Sequence, residues 1–365
     1  MNESCKSRPA AHVDSVSANN ADETKATRKM QLEIKTPITT SDEAPQSGLS
    51  ANLKVIMRRK AIPLSLLVAV VAPLSATANP PISTKSDRAP EMRLAGKTVT
   101  LPLVMVREFP FIEGEIAGVR GKFMLDTGMQ DALVINDHRV PLVGGSKIGT
   151  GHFGSGQTYD VRLHSEVRKI RIGDIDYARV TSVRSQDARM LEKITPDFLG
   201  WIGYGFFSSH AMKLDYQHLE VTFYEEGPDR FLGGEKLVAA LPFETRKLPN
   251  IPLMRARIGD VDAIISLDTG MYGSLNIGEE KRRRLLDGGQ LSRTEGSDTF
   301  DLTGVRIADK IDISAPGIEV EEGASASAAP VGITEDTELE LGFVFLRNFK
   351  TVWDYREKQL YVLAQ

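Results

Sequence analysis

The sequence predicts an all-β protein made of two copies of one unit, and three observations predict it. The tripeptide Asp-Thr-Gly occurs twice in the same setting, as Phe123-Met124-Leu125-Asp126-Thr127-Gly128-Met129 and Ile265-Ser266-Leu267-Asp268-Thr269-Gly270-Met271. One such tripeptide arises by chance in roughly one chain in ten of this length, so two in matched apolar settings call for a common origin. The surroundings repeat as well. Pro110 and Ile116 stand to Asp126 as Pro252 and Ile258 stand to Asp268. Later come Ile202-Gly203-Tyr204 and Leu341-Gly342-Phe343, each followed at one fixed offset by an Asp-Tyr pair, Asp215-Tyr216 and Asp354-Tyr355. Finally, many short alternating runs separated by turn residues read as strands. Two copies of this length are not a solenoid, which needs at least three shorter repeats.

The elements follow in chain order. Residues 1–56 are polar and too poor in apolar side chains to offset ordering entropy, so disorder is expected. Met57-Arg58-Arg59-Lys60 is a basic start, Ala61 to Ser75 an apolar run with two prolines, and Ala76-Thr77-Ala78 a small-x-small cleavage site. Residues 57–78 therefore read as a secretory signal peptide, with Met57 as the true start and 1–56 as an upstream extension. Export to the periplasm or outside follows, with no stable membrane span after cleavage. The single cysteine, Cys5, precedes this segment, so the exported part uses neither disulfides nor a thiol nucleophile. A net charge of −4 gives no sign of nucleic acid binding.

Residues 79–97 read as a linker. Thr98 to Val106 is an edge strand or strand start, because Pro102 cannot donate to a ladder. Phe111 to Leu125 is a hairpin turning at Ala117–Gly121. Gly149 to Gly156 is a glycine-rich hairpin tip or mobile loop, Val161 to Ile172 a strand with a turn at Gly173-Asp174, and Asp187 to Ile194 a short helix. The units divide as 98–226 and 236–365, with 227–235 as a Gly/Pro/Asp linker. In the second, Leu253 to Ile258, Ala263 to Leu267 and Val305 to Ile313 are strands, Gly278 to Leu286 a charged helix, and Gly323 to Pro330 a flexible surface loop.

Each Asp-Thr-Gly aspartate follows a strand that ends in Leu. If the copies pack about a twofold axis, Asp126 and Asp268 meet, cannot both ionise, and titrate as one unit. One serves as general base on a water; the other, protonated, hydrogen-bonds a carbonyl. Asp215 and Asp354 are read as turn stabilisers, and Lys281 to Arg284 as a solvated helix face. The scattered histidines lack His-Glu-x-x-His spacing, so a zinc hydrolase is not expected, nor any other metal or cofactor.

With these motifs the chain resembles aspartic peptidases of the pepsin and retropepsin superfamily. It is most similar to the exported bacterial aspartyl protease family, in which two Asp-Thr-Gly lobes share one chain. The resemblance covers most of residues 100–365. It implies two retropepsin-like β-barrel lobes related by pseudo-twofold symmetry, working as a monomer with an internal pseudo-dimer. It implies catalysis by Asp126 and Asp268 on a peptide or protein substrate, with Thr127 and Thr269 interlocked below them beside Gly128 and Gly270. It places Ile202-Gly203 and Leu341-Gly342 behind the catalytic loops, and a flap at Gly149 to Gly156, including Gly151, His152 and Phe153. Met129 and Met271 depart from the family's usual Ser or Ala. The flap tyrosine has no clear match, Tyr159 being one candidate, and the second copy has only Glu295-Gly296-Ser297 as a flap remnant. The alternatives are a catalytically silent relative that binds peptides or senses the envelope, and a dimer pairing lobes from two chains.

Overall fold

The computed structural model describes Met92, Leu94, residues 96–152 and residues 158–365. The expected extension, the signal segment, most of the 79–97 linker and Phe153 lie outside the described residues. The described chain is mostly β.

In the first copy the strands are β1 (Thr98–Pro102), β2 (Val104–Val106), β3 (Phe109–Ile116), β4 (Val119–Leu125), β5 (Leu133–Asn136), β6 (Ser146–His152), β7 (Thr158–Ile172), β8 (Ile175–Gln186), β9 (Phe198–Ile202), β10 (Ala211–Asp215) and β11 (Glu220–Tyr224). A 3-10 helix (Arg189–Lys193) precedes β9, and the single-turn helices α1 (Tyr204–Phe207) and α2 (Pro228–Phe231) follow it. The second copy contains β12 (Leu237–Pro242), β13 (Leu253–Ile258), β14 (Val261–Leu267), β15 (Gly273–Ile277), α3 (Glu279–Asp287), β16 (Leu291–Arg293), β17 (Phe300–Ile307), β18 (Ile311–Glu322), α4 (Ala328–Val331), β19 (Thr337–Leu341), α5 (Phe343–Leu346), β20 (Lys350–Asp354) and β21 (Gln359–Leu363).

Two rings of strands share one connectivity. The order β3-β4-β9-β5-β8-β7 returns to β3, and the order β13-β14-β19-β15-β18-β17 returns to β13. Each ring contains a parallel pair that carries a motif, β4 with β9 and β14 with β19, in which Leu125 faces Ile202 and Leu267 faces Leu341. Alternation along the strands fills the rings. β7 alternates at its two ends, where Tyr159 and Val161, and Ile170 and Ile172, are buried on either side of an exposed residue, as period-2 geometry requires. Trp201, Phe123 and Phe198 are fully buried in the first copy. Each such side chain contributes about 1.5–3 kcal/mol relative to exposure.

A third, six-stranded sheet runs β1-β11-β10-β20-β21-β12, three strands from each copy. Its central seam pairs Met212 with Trp353, Lys213 with Val352 and Leu214 with Thr351. Lys213 stands as far before Asp215 as Val352 stands before Asp354, so equivalent residues face each other and the pseudo-twofold axis of this sheet passes between them. β1 is an edge strand, as Pro102 requires.

Several sequence expectations are corrected. Val305 to Ile313 is not one strand. The chain turns at Ala308 and Asp309, both at positive φ (48° and 54°), and β18 returns along β17. Neither glycine nor proline marks this turn, which is why periodicity ran through it. Gly323 to Pro330 is not a plain surface loop, because Ser325, Ser327 and Ala328 are buried. Met92 and Leu94, within the expected linker, are buried in the core. The 227–235 connection holds the buried Phe231 at the end of α2.

Candidate active site

The two motif loops are built alike. Asp126 follows β4, and its N–H donates to the carbonyl of Ile202 at 3.0 Å; Asp268 follows β14, and its N–H donates to Leu341 at 3.1 Å. The paired strands thus fix where each aspartate leaves the sheet. Gly203 and Gly342 pass directly behind. A Cβ on Gly203 would lie 2.3 Å from the carbonyl oxygens of Asp131 and Met129, and one on Gly342 would lie 2.0 Å from that of Met271. Only glycine fits such a crossing.

The loops then grip each other. The N–H of Thr127 donates to the hydroxyl of Thr269, and the N–H of Thr269 to the hydroxyl of Thr127, each at 3.0 Å. The Thr269 hydroxyl donates onward to the carbonyl of Leu125 at 2.7 Å. Both threonines are wholly buried. Leaving either set of groups unpaired in this interior costs about 1–3 kcal/mol per group.

This grip brings Asp126 and Asp268 together, 1% and 6% exposed. Gly128 lies against both carboxyls, since a Cβ on it would stand 2.2 Å from Asp268 Oδ2 and 3.1 Å from Asp126 Oδ1. Gly270 likewise lies against the opposite aspartate, where a Cβ would meet Asp126 Cγ at 2.7 Å. The donors are unequally shared. Asp268 Oδ1 accepts from the N–H groups of Gly270 (2.7 Å) and Gly128 (3.0 Å) and from the Thr127 hydroxyl (3.4 Å). Asp126 Oδ1 accepts from the N–H of Met129 at 3.2 Å.

Burial raises the proton affinity of both carboxyls. For Asp126 the charge of Asp268 and a hydrogen bond to it add to that rise, which lifts it well above the ordinary 3.8. For Asp268, also raised by burial, the donors from Gly270, Asp126, Gly128 and Thr127 offset part of the rise. Donors aimed at a carboxylate favour its charged form. Both carboxyls are thus raised and titrate as one unit, in which the donors favour charge on Asp268.

Several supporting residues are not evident from motif reading. Asn250 donates its amide to the carbonyls of Thr127 (3.0 Å) and Gly128 (2.8 Å), and its own backbone carbonyl accepts from the Tyr355 hydroxyl at 3.0 Å. It belongs to one copy only, so no repeat signals it. Tyr355 packs edge-on against Tyr204 at 4.9 Å, and Tyr216 against Phe343 at 5.7 Å. Each copy's Asp-Tyr tyrosine thus meets the other copy's aromatic after the glycine. Burial and then the nearby charge of Asp268 raise the pKa of both tyrosines. Asp215 and Asp354 cap turns, accepting from the N–H groups of residues 217 and 218, and of 356 and 357.

The hairpin of β6 and β7 pairs Gly151 with Tyr159 and His152 with Thr158. A Cβ on Gly151 would lie 2.4 Å from the Tyr159 ring, so the glycine makes room for the tyrosine. Tyr159 is buried in an apolar cluster with Met124, Met129 and Trp201, the residues that flank and back the first motif. Burial pushes its hydroxyl up to about 12, with the nearby Gln186 side chain opposing the rise. A cavity of about 540 Å³ lies beside this hairpin, lined by Tyr159, Arg162, Asp187 and Met190 among others, and neither motif aspartate lines it. In the second copy Glu295-Gly296-Ser297 lies in the turn joining β16 to β17.

Among the described residues, no group of three His, Cys, Asp or Glu side chains is placed to hold a metal ion. Among them, too, no helix is long and apolar enough to cross a membrane. No protein-family model matches the chain, and no curated protein matches it.

Proposed function

We propose that this chain is an aspartic endopeptidase of the pepsin and retropepsin type, with residues 98–226 and 236–365 as its two lobes. The observation that carries this reading is the buried pair Asp126–Asp268, held by reciprocal threonine hydrogen bonds and provided with unequal donors. Two carboxyls too close to ionise together share one proton, as in pepsin, and that sharing supplies an acid and a base at one site.

A peptide carbonyl approaches the pair with a water beside it. Asp268, ionised, takes a proton from the water as its oxygen attacks the carbonyl carbon. Asp126 passes its proton to the carbonyl oxygen. The product is a neutral tetrahedral diol, and the pair again holds one proton, now on Asp268. In the second half Asp268 gives its proton to the nitrogen, Asp126 takes a proton from a diol hydroxyl, and the C–N bond breaks. The amine and carboxylic acid products leave with the pair restored to its starting state. No covalent bond to the protein forms. The Asp126 role needs a proton retained above the usual carboxylate range, and burial beside Asp268 favours that.

The signal-like segment at 57–78 supports an exported enzyme acting on peptide or protein in the periplasm or outside the cell. A second reading is a silent peptide binder. The buried Met129 and Met271 favour it, since they bring thioethers to the positions after each motif, where a hydroxyl could otherwise assist a carboxylate. Incubation of residues 79–365 with a peptide library across pH, wild type beside Asp126→Asn, decides between the two. Cleavage by the wild type alone supports the peptidase. Peptide binding with no cleavage at any pH supports the binder.

A further inference from the structure

The second barrel contains a pair of buried carboxyls that the aspartate chemistry does not use. Glu338 and Glu340 alternate with Leu339 and Leu341 on β19, so both glutamates face away from the leucines. They are 3% and 2% exposed. Among the described residues neither has an ion-pair partner. The equivalent strand layer of the first barrel carries no acid and is apolar except at the buried Asn136, the counterpart of Asn276, whose amide donates to Glu192 and to the Phe198 carbonyl. In register, Ser266 pairs with Glu340 as Met124 pairs with Trp201. The fold therefore does not require acids here.

Serines line the pair in one chain of contacts. The Ser266 hydroxyl reaches Glu338 Oε1 at 2.8 Å, and that of Ser325 reaches Oε2 at 2.7 Å. Ser325 and Ser327 lie 2.9 Å apart. The Ser327 hydroxyl reaches Glu340 Oε1 at 3.2 Å, and that of Ser274 reaches Oε2 at 3.1 Å. Each hydroxyl owns a single hydrogen. These are five contacts among four serines, so one hydrogen is missing unless a carboxyl supplies it. A protonated glutamate donates to its serine, which frees that serine's hydrogen for the next contact. Beside this chain stands an unused donor. Asn276 pairs directly with Glu338 across β15 and β19, is 2% exposed, and its side-chain NH2 has no hydrogen-bond partner among the described residues.

We propose that Glu338 and Glu340 bind one shared proton, and that this proton latches the Ser325–Ser327 segment onto the second barrel. When the proton leaves for solvent, the carboxyl O–H breaks, the serine chain is one hydrogen short, and the freed carboxylate turns to the Asn276 amide. The segment is then released. The latch stands whether or not the chain cleaves peptides.

The surroundings resist loss of the proton. Burial pushes Glu340 up to about 8, with the charges of Glu338 and Asp268 adding to the rise. Burial likewise raises Glu338, helped by Glu335, which is paired with Arg246. Glu319 and Glu321 of β18 lie in register with Ser274 and Asn276 and add negative charge. Residues 323–331 bring no titratable side chain, and Lys247 beside them is bonded to the Ala329 carbonyl. The site is also joined to the motif loop, since Leu341, next to Glu340, accepts the Asp268 N–H.

Two measurements on residues 79–365 test the latch. Carbon-13 NMR of labelled glutamate carboxyls is expected to show one carboxyl of the wild type still protonated at neutral pH and titrating near pH 8. Release of both protons in the acid range overturns the proposal. Hydrogen exchange at residues 325–331, corrected for intrinsic rates, is expected to lose protection above that pH by about tenfold per unit. In Glu340→Gln, which keeps a donor permanently, protection is expected to be independent of pH. Equal loss in wild type and variant overturns it. If Glu340→Gln does not fold, Glu338→Gln makes the same test, and the wild-type titration stands without either.

Discussion

Thr127 and Thr269 exchange identical hydrogen bonds, backbone N–H to hydroxyl at 3.0 Å in each direction, across the interface of the two copies. Each threonine completes the other copy's loop, so the copies are bound together at the aspartates. Thr269→Ala is expected to destabilise by about 1–3 kcal/mol, because it strands the Thr127 N–H and the Leu125 carbonyl in the interior. Urea denaturation measures this. Thr269→Ser, which keeps the hydroxyl, is expected to lose less. An alanine variant as stable as the wild type would remove the grip from the account.

Replacing either aspartate separates chemistry from folding. Asp126→Asn and Asp268→Asn are each expected to abolish peptide cleavage while the thermal transition stays cooperative. Asparagine preserves the shape but cannot pass on the proton. Cleavage persisting in both variants would falsify the paired-carboxyl mechanism.

The pair also sets a pH dependence, and its sign is fixed by the raised proton affinities. The native state binds protons more tightly than the unfolded chain, whose carboxyls titrate near 3.8. The stability contributed by this pair is therefore fully present below that value. It is lost as pH rises through the higher native values. Melting temperature against pH is expected to show this fall in the wild type and a smaller one in Asp126→Asn. Activity, which needs one proton on the pair, is expected to persist above the ordinary aspartate range and to fail on the alkaline side.

Gly342→Ala is expected to prevent correct folding, because its Cβ would sit 2.0 Å from the Met271 carbonyl oxygen and 2.8 Å from that of Asp268. Both obstacles are backbone and cannot swing aside. Yield and circular dichroism check this. A variant that folds with wild-type stability would mean that the strand crossing is looser than described.

Asn250→Ala is expected to cost about 1–3 kcal/mol by leaving the carbonyls of Thr127 and Gly128 unpaired beneath the motif. The same variant is expected to weaken catalysis through displacement of Asp126, which would appear as a fall in kcat larger than any change in KM.

What repeats was legible in the sequence, because both copies answer one physical demand. The Asp-Thr-Gly loops, the apolar-Gly crossings and the Asp-Tyr pairs recur since each half must meet the other at these points. The cross-packing of Tyr355 on Tyr204 and Tyr216 on Phe343 explains why the aromatic after glycine and the distant tyrosine keep a common offset. What occurs once was hidden. Asn250 serves both carbonyls from one side, so no second copy announces it. The turn at Ala308 and Asp309 carries no punctuating residue. Glu338 and Glu340 alternate with leucines as the polar half of a half-buried strand would, and only the serines folded over them show that they are inside.

The seam between Lys213 and Val352 has an evolutionary meaning. Because β10 meets β20 at matching positions, the same strand in an undoubled ancestor would have met its own counterpart in a second molecule. With both copies in one chain, each acidic loop is free to carry its own residues. That freedom is what allows one aspartate to accept from more donors than the other.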